Sequence, residues 1–137
     1  MSERVADAVV LDSSAILALV WGEPGADAVL EAVEDAQRVV LVSSVNLCEV
    51  STKLVVTGVN ASTVALNTSP FLKYVVDFDL QQALFAAELA RITRPFGLSL
   101  GDRACLALAA SRGATAWTTD KDWKKLKAGV KIHLIRG

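Results

Sequence analysis

Short apolar runs of strand length alternate with segments of helical period along this chain, and this alternation limits the possible folds most strongly. The predicted strands are residues 8–11, 39–43, 74–78, 115–118 and 131–135. The predicted helices are residues 14–21, 26–36, 46–57, 80–93 and 99–112, with a helical turn around Trp123 and no clear assignment for residues 60–72. Strands that alternate with helices pair in parallel through right-handed crossovers. We therefore expect an α/β fold, namely a three-layer α/β/α sandwich around a mostly parallel sheet of about five strands.

Length and composition fit one domain spanning residues 1–137. With 53% hydrophobic residues, a chain of this length buries a substantial core. The apolar stretch at residues 8–21 is interrupted by Asp12 and is too short to cross a bilayer, so we expect a cytoplasmic protein without a membrane span. Cys48 and Cys105 lack CxxC spacing and are predicted to be reduced core thiols, although the sequence leaves a pairing open.

The formal net charge of −1 is weak evidence against a nucleic-acid partner. If four of the 15 acids bind metal, the remaining 11 are outnumbered by the 14 lysines and arginines. The surface outside such a site is then mildly basic, and a bound divalent ion would reverse the local field as well.

Four acids fall at predicted strand exits or helix starts. Asp12 and Asp120 follow the strands at residues 8–11 and 115–118, Glu49 lies one turn into a helix, and Asp102 lies in the first turn of another. In open parallel sheets, ligands bind beyond the carboxyl ends of the strands. We therefore expect the four carboxylates to meet at that edge.

Helix capping is the alternative explanation, and it stays open for each acid taken alone. The candidate caps and capping boxes are Asp12, Asn46 with Glu49, Ser99 with Asp102, and Asp120. Asp79 also fits a box with Gln82 and carries no other signal, so it is predicted to be a cap, and Asp77 to be a surface residue.

Residues 10–18, 44–50, 97–109 and 118–123 together resemble the motifs of PIN-domain nucleases, and within them the VapC-type toxins of toxin–antitoxin pairs. The segments come in the order and spacing of that family, and the resemblance covers nearly the whole chain. It implies that the acidic quartet of the family is Asp12, Glu49, Asp102 and Asp120, with Ser14 and Thr118 as supporting hydroxyls and Asp122 as a candidate fifth, outer acid.

A cluster of carboxylates needs a cation. Two carboxylates about 5 Å apart repel by about 3 kcal/mol at an effective dielectric of about 20, and four together by on the order of 10 kcal/mol. Oxygen ligands without histidine or cysteine favour Mg²⁺ or Mn²⁺ over zinc. His133, the single histidine of the sequence, falls in the last predicted strand and is predicted to be structural.

The resemblance implies an endoribonuclease that hydrolyses RNA phosphodiester bonds with metal-activated water and leaves a 5′-phosphate and a 3′-hydroxyl. Asp12, Asp102 and Asp120 are predicted to bind the metal, and Glu49 to bind it or to act as the base that orients the water. A homodimer and a cognate antitoxin are also implied, with Trp21 and the first two helices as candidate contacts, although a core position is an equal alternative for Trp21.

Three basic residues close in sequence to the acids are candidate phosphate contacts, with solvated surface as the alternative: Arg103, Lys121 and Lys124.

Other enzyme classes fit the sequence less well. A receiver domain needs an acidic pair at this position, but Leu11 precedes Asp12. A haloacid-dehalogenase-type phosphatase needs a second acid two residues after the first, where this chain has Ser14. P-loop chemistry is unsupported because no GxxxxGK[ST] loop is present. A PIN-like RNA- or protein-binding module without turnover stays open.

Overall fold

The computed structural model describes residues 8–136, which form an all-parallel five-stranded sheet between two layers of helices. The strands are β1 (Val9–Leu11), β2 (Val40–Ser43), β3 (Val75–Val76), β4 (Thr115–Thr118) and β5 (Lys131–Leu134). The α-helices are α1 (Ser13–Trp21), α2 (Ala26–Glu34), α3 (Ser44–Val56), α4 (Ala61–Thr68), α5 (Leu80–Thr93) and α6 (Leu100–Arg112). Short 3₁₀ turns span Ser69–Tyr74, Arg94–Phe96 and Lys121–Lys125.

The central strand β1 is buried on both faces, which explains its unbroken apolar sequence. Val9 and Leu11 point into one core, which contains residues of α1, α2 and α3. Val10 points into the other core, with residues of α5 and α6. Because successive side chains of a strand alternate between faces, three consecutive apolar residues serve both helical layers.

The strand order β3-β2-β1-β4-β5 creates a switch point in the middle of the sheet. The chain moves from β1 outward through β2 to β3 and then returns to place β4 on the opposite side of β1. Leu11 of β1 pairs with Trp117 of β4, so Asp12 and Thr118 come next to each other at the carboxyl edge. Open α/β sheets bind ligands at such a crevice, and this position is where the acids were predicted to meet.

The predicted α/β/α fold is confirmed, and most predicted elements are present with shifted ends. The helix predicted at residues 46–57 begins two residues earlier, because the Ser43 hydroxyl accepts from the Val45 N–H and caps it. The predicted strand at residues 74–78 contracts to Val75–Val76, and residues 60–72 contain α4. Within the described chain, no helix combines the length and apolarity that a membrane span requires.

Candidate active site

The four predicted acids all line one open cavity, of about 740 Å³, beyond the ends of β1 and β4. Apolar side chains form part of the wall, with Leu17, Val45, Val56 and Leu100 among them. Of the lysines and arginines in residues 8–136, Lys53 is the only one that lines the cavity. Four carboxylates against one ammonium group leave the cavity with an excess of negative charge.

Asp12 is the most deeply buried of the four, with 3% of its surface exposed. Its Oδ1 accepts hydrogen bonds from Ala15 N at 2.8 Å and Ser14 Oγ at 2.7 Å, and its Oδ2 accepts from Thr118 Oγ1 at 2.5 Å. Burial raises the pKa of Asp12 from its ordinary 3.8 to about 6, although the hydroxyls of Thr118 and Ser14 act to lower it. The carboxylate is thus held in one orientation but is poorly solvated.

Glu49 approaches the cavity from α3, where it is half-buried. Its Oε1 accepts from Ser13 Oγ at 2.5 Å and from Asn46 Nδ2 at 3.4 Å. The capping box predicted for Asn46 and Glu49 is wrong, because Ser43 caps α3 and Asn46 lies inside the helix with its side chain buried. Glu49 therefore has no capping role that would explain its position.

Asp102 and Asp120 combine capping with a place on the cavity wall. Asp102 N donates to Ser99 Oγ at 3.2 Å and Ser99 N donates to Asp102 Oδ2 at 2.9 Å, which confirms the predicted box. Asp120 Oδ1 accepts from Asp122 N at 2.9 Å. The carboxylate of Asp122 pairs with Lys125 at 3.4 Å instead, and it does not line the cavity. Capping and ligand binding are compatible roles for these side chains.

The acids influence one another electrostatically. Burial raises the pKa of Asp102, and the charges of Glu49 and Asp120 raise it further. Burial also raises the pKa of the Cys105 thiol well above its usual value, with added contributions from Asp12, Asp102 and Glu49. Because Cys105 is fully buried beneath the acids, it stays a protonated core thiol.

The donor set fits a hard divalent cation by chemistry and charge. The acids supply only oxygen, and of the histidine and the cysteines in the described residues the exposed Cys48 alone lines the cavity. Within residues 8–136, however, no three histidine, cysteine, aspartate or glutamate side chains are grouped so that they could hold a metal ion. The carboxylates therefore share one cavity without being drawn together into a ligand set.

The basic residues predicted as phosphate contacts lie elsewhere. Arg103 Nη1 donates to the Ala86 carbonyl of α5 at 2.9 Å, and Lys124 Nζ donates to the Ile132 carbonyl of β5 at 2.8 Å. Neither side chain lines the cavity, nor does Lys121. Two of the three thus form hydrogen bonds to the backbone of neighbouring elements.

The structure also places the other residues that the sequence singled out. His133 lies on β5 with its ring centroid 4.9 Å from that of Trp117, away from the cavity. Both cysteines are free, and the prediction of a core thiol is confirmed for Cys105 but wrong for Cys48. Trp21, at the end of α1, is 43% exposed. Asp79 caps α5 as predicted.

Among the residues that line the cavity, the sequence did not single out Ser13, Lys53 or Gly101, and it marked Asn46, which bonds Ser13, only as a capping residue. The sequence carried a partial signal for two of them. Asn46 precedes Glu49 by three residues, so the two share a helix face. Gly101 lies in the first turn of a helix, where glycine is unfavourable unless close packing requires it. Which partners these residues meet could not be read from spacing.

Comparison with known proteins agrees with the fold. The chain is similar to VapBC2 from Rickettsia felis, with a TM-score of 0.72 and 16% identity over 93% of this chain and 98% of that chain. It is similar to VapBC from Salmonella typhimurium, with a TM-score of 0.70 and 20% identity over 93% of this chain and 98% of that chain. It is also similar to VapC20 from Mycobacterium tuberculosis, described as a sarcin-ricin loop cleaving toxin, with a TM-score of 0.67 and 19% identity over 85% of this chain and 93% of that chain. No curated protein sequence matches significantly. The profile of the PIN domain matches residues 9–129, most of the chain, and on this ground the chain belongs to the PIN-domain family.

Proposed function

We propose that this protein is a metal-dependent endoribonuclease, the toxin of a toxin–antitoxin pair, which hydrolyses RNA phosphodiester bonds with water as the nucleophile. The observation that carries the proposal is the convergence of Asp12, Glu49, Asp102 and Asp120 on one cavity at the switch point of the sheet. Capping alone does not explain this convergence. Glu49 caps no helix, and burial disfavours the ionised form of the Asp12 carboxylate.

The relatives support the same reading. The chain belongs to the PIN-domain family, and it shares its fold with proteins named as VapBC toxin–antitoxin complexes. One structural neighbour is named as a toxin that cleaves the sarcin-ricin loop. We base the reaction class on the acidic cavity and on the PIN-domain family, and we carry over no RNA target from that neighbour, because an identity of 19% supports similarity of fold only.

Asp12, Asp102 and Asp120, which line one cavity without forming a close ligand set, would hold Mg²⁺ or Mn²⁺ in the proposed site, and Glu49 would bind the ion or orient the attacking water. A bound divalent ion supplies a Lewis acid for the phosphate and a lowered pKa for water. Ser14 and Thr118 fix both oxygens of Asp12, so that this carboxylate keeps its direction when its charge is neutralised.

The remaining steps belong to the side chains of this protein. Acting as the base, Glu49 would take a proton from the attacking water, whose oxygen forms a bond to phosphorus while the bond to the 3′-oxygen breaks and the departing 3′-oxygen takes a proton from solvent. The products carry a 5′-phosphate and a 3′-hydroxyl because the ribose 2′-hydroxyl takes no part. Lys53, on the rim one turn beyond Glu49, is placed to contact a neighbouring phosphate.

Nuclease assays on matched variants test this function. Purified protein is incubated with RNA and Mn²⁺, with and without chelator, beside the variants Asp12→Asn and Asp102→Asn. The control is Asp79→Asn, the same change at a helix cap outside the cavity, where asparagine caps equally well. We expect cleavage by the wild type and the control only, and loss of cleavage with chelator.

The alternative outcomes are distinct. Cleavage that survives Asp12→Asn or Asp102→Asn removes the four acids from the mechanism, and cleavage in chelator removes the metal. RNA that is bound but never cut, with Mn²⁺ present, supports a binding module without turnover.

The proposed partner is a cognate antitoxin, and a homodimer is the proposed state of the toxin. Support comes from the VapBC names of the structural neighbours and from exposed apolar side chains on the first two helices, Trp21 and Leu30. The gene is expressed alone in bacteria and then with its small neighbouring reading frame. Growth arrest that the neighbour relieves supports the pair, harmless expression contradicts it, and light scattering on the purified protein measures its oligomeric state.

A further inference from the structure

A small hydrogen-bond network joins three helices around the carboxylate of Glu49. Asn46 Nδ2 lies 3.0 Å from Ser13 Oγ of α1 and 3.1 Å from the Gly101 carbonyl oxygen of α6. Ser13 Oγ lies 2.5 Å from Glu49 Oε1 on α3. Residues from distant parts of the sequence therefore hold one end of Glu49.

The direction of each hydrogen bond in this network is fixed by chemistry. The Gly101 carbonyl can only accept, so the nitrogen of the Asn46 amide must face it. Ser13 has one hydroxyl hydrogen, which it donates to Glu49, so its oxygen accepts from Asn46. The donors from Asn46 through Ser13 therefore all point towards the Glu49 carboxylate.

The burial of Asn46 indicates that its amide group was not selected for the stability of the fold. The residue is 1% exposed, and its Oδ1 has no hydrogen-bond partner within the described residues. An unpaired buried oxygen destabilises a protein, whereas an apolar side chain of the same size at this position has no such penalty. The useful part of the side chain is the nitrogen, which reaches Ser13 and Gly101.

Gly101 completes the arrangement from the opposite side. A Cβ atom at this position would lie 2.0 Å from Glu49 Oε1 and 2.1 Å from its Cδ, closer than any real contact. The carboxylate of Glu49 therefore occupies the space that a side chain at residue 101 would fill. Only glycine leaves that space open.

From this geometry we propose that Asn46 is a positioning residue that acts through Ser13 to hold the Glu49 carboxylate against Gly101 in the orientation needed for hydrolysis. The inference rests on the proposed nuclease function. It predicts that loss of the Asn46 amide lowers turnover, because Glu49 loses its direction, while substrate binding is retained.

The test compares Asn46→Leu with Asn67→Leu, the same substitution on α4 outside the cavity. Asn46→Leu is expected to lower kcat by about 10- to 100-fold, as is typical when a group that orients a ligand is removed, with KM changed less than about threefold. Its Tm is expected within about 3 °C of the wild type or above it. Asn67→Leu is expected to leave kcat unchanged.

Two variants of Ser13 test the same proposal independently, in case Asn46→Leu does not fold. Ser13→Ala is expected to give a similar fall in kcat, and Ser13→Thr, which keeps the hydroxyl donor, to recover most of it. Ser111→Ala is the control, because within residues 8–136 the Ser111 hydroxyl bonds only the Leu108 carbonyl of its own helix. A large loss of Tm in both Asn46→Leu and Ser13→Ala would show a structural role and overturn the proposal.

A structural readout separates this inference from the function beneath it. In a crystal structure of Asn46→Leu we expect the Glu49 carboxylate to have left both Ser13 and Gly101. If the carboxylate stays in place, or kcat stays within threefold of the wild type, Asn46 does not position Glu49. If the wild type cuts no RNA, the proposed function fails, while the position of Glu49 in the variant still decides the role of Asn46.

Discussion

Replacing Asp12 by asparagine is expected to stabilise the metal-free protein at neutral pH. Burial of its carboxylate raises the pKa to about 6, against 3.8 for the ordinary group. The folded state thus holds a proton more tightly than the unfolded state. This tighter proton binding increases the free energy of unfolding, and its contribution is fully present below pH 3.8 and is lost as the pH rises through 6. At neutral pH the fold therefore contains an ionised group that its surroundings disfavour.

The size of the effect follows from this shift. A difference of about 2.2 pKa units corresponds to about 3 kcal/mol in the free energy of unfolding, since each unit is worth 1.36 kcal/mol. Asparagine keeps an oxygen for the Ala15 N–H and the Ser14 hydroxyl, but Thr118 must turn its hydroxyl to accept from the new amide, which costs about 1 kcal/mol. We therefore expect a net gain of about 2 kcal/mol, or about 6–10 °C in Tm.

Chemical denaturation of both proteins in chelator, from pH 3.5 to pH 8, measures this difference. The gain should be near zero or negative at pH 3.5, grow between pH 4 and pH 6, and stay constant above. Under the proposed function, Mn²⁺ should stabilise the wild type but not the variant, which lacks one of the proposed ligands. Asp79→Asn, a change at an exposed cap, should alter stability by less than about 0.5 kcal/mol at every pH. A difference that does not vary with pH would refute the reasoning, since it would mean that the Asp12 carboxylate is well solvated.

Two further substitutions test the cavity. Gly101→Ala should improve helix propensity by about 1 kcal/mol yet abolish most RNA cleavage, because its Cβ collides with the Glu49 carboxylate; unchanged turnover would show that Glu49 has room to move. Lys53→Ala should weaken RNA binding and reduce the dependence of log K on log salt by about 0.7, as measured by fluorescence anisotropy, whereas the exposed Lys127→Ala should change neither; equal effects of the two would assign Lys53 to general surface charge.

The fold was largely predictable because hydrophobic period and strand length are local properties of the sequence. The helix at Leu80–Thr93 was predicted to the residue, and the strands differ mainly at their ends. The sheet order also places Asp12 and Asp120 at neighbouring strand exits, so a simple topological rule was enough to predict that they lie at the same edge of the sheet.

Contacts between elements were not predictable in the same way. Asn46 carries a capping signal, but Ser43 begins the helix earlier and leaves the Asn46 amide to bond Ser13 and Gly101. Arg103 lies beside an acid in sequence, yet its guanidinium reaches a carbonyl of α5 because a long side chain can extend to the neighbouring helix. Such choices depend on packing across separate elements, which one-dimensional spacing does not encode.

The pairing of β1 with β4 has a consequence for the newly made chain. Thr118, which holds one oxygen of Asp12, leaves the ribosome 106 residues after it. Asp102 and Asp120 follow Asp12 by 90 and 108 residues, and β1 has to wait for β4 before the two strands can pair. A polypeptide that has not been translated as far as residue 120 consequently lacks the complete set of carboxylates.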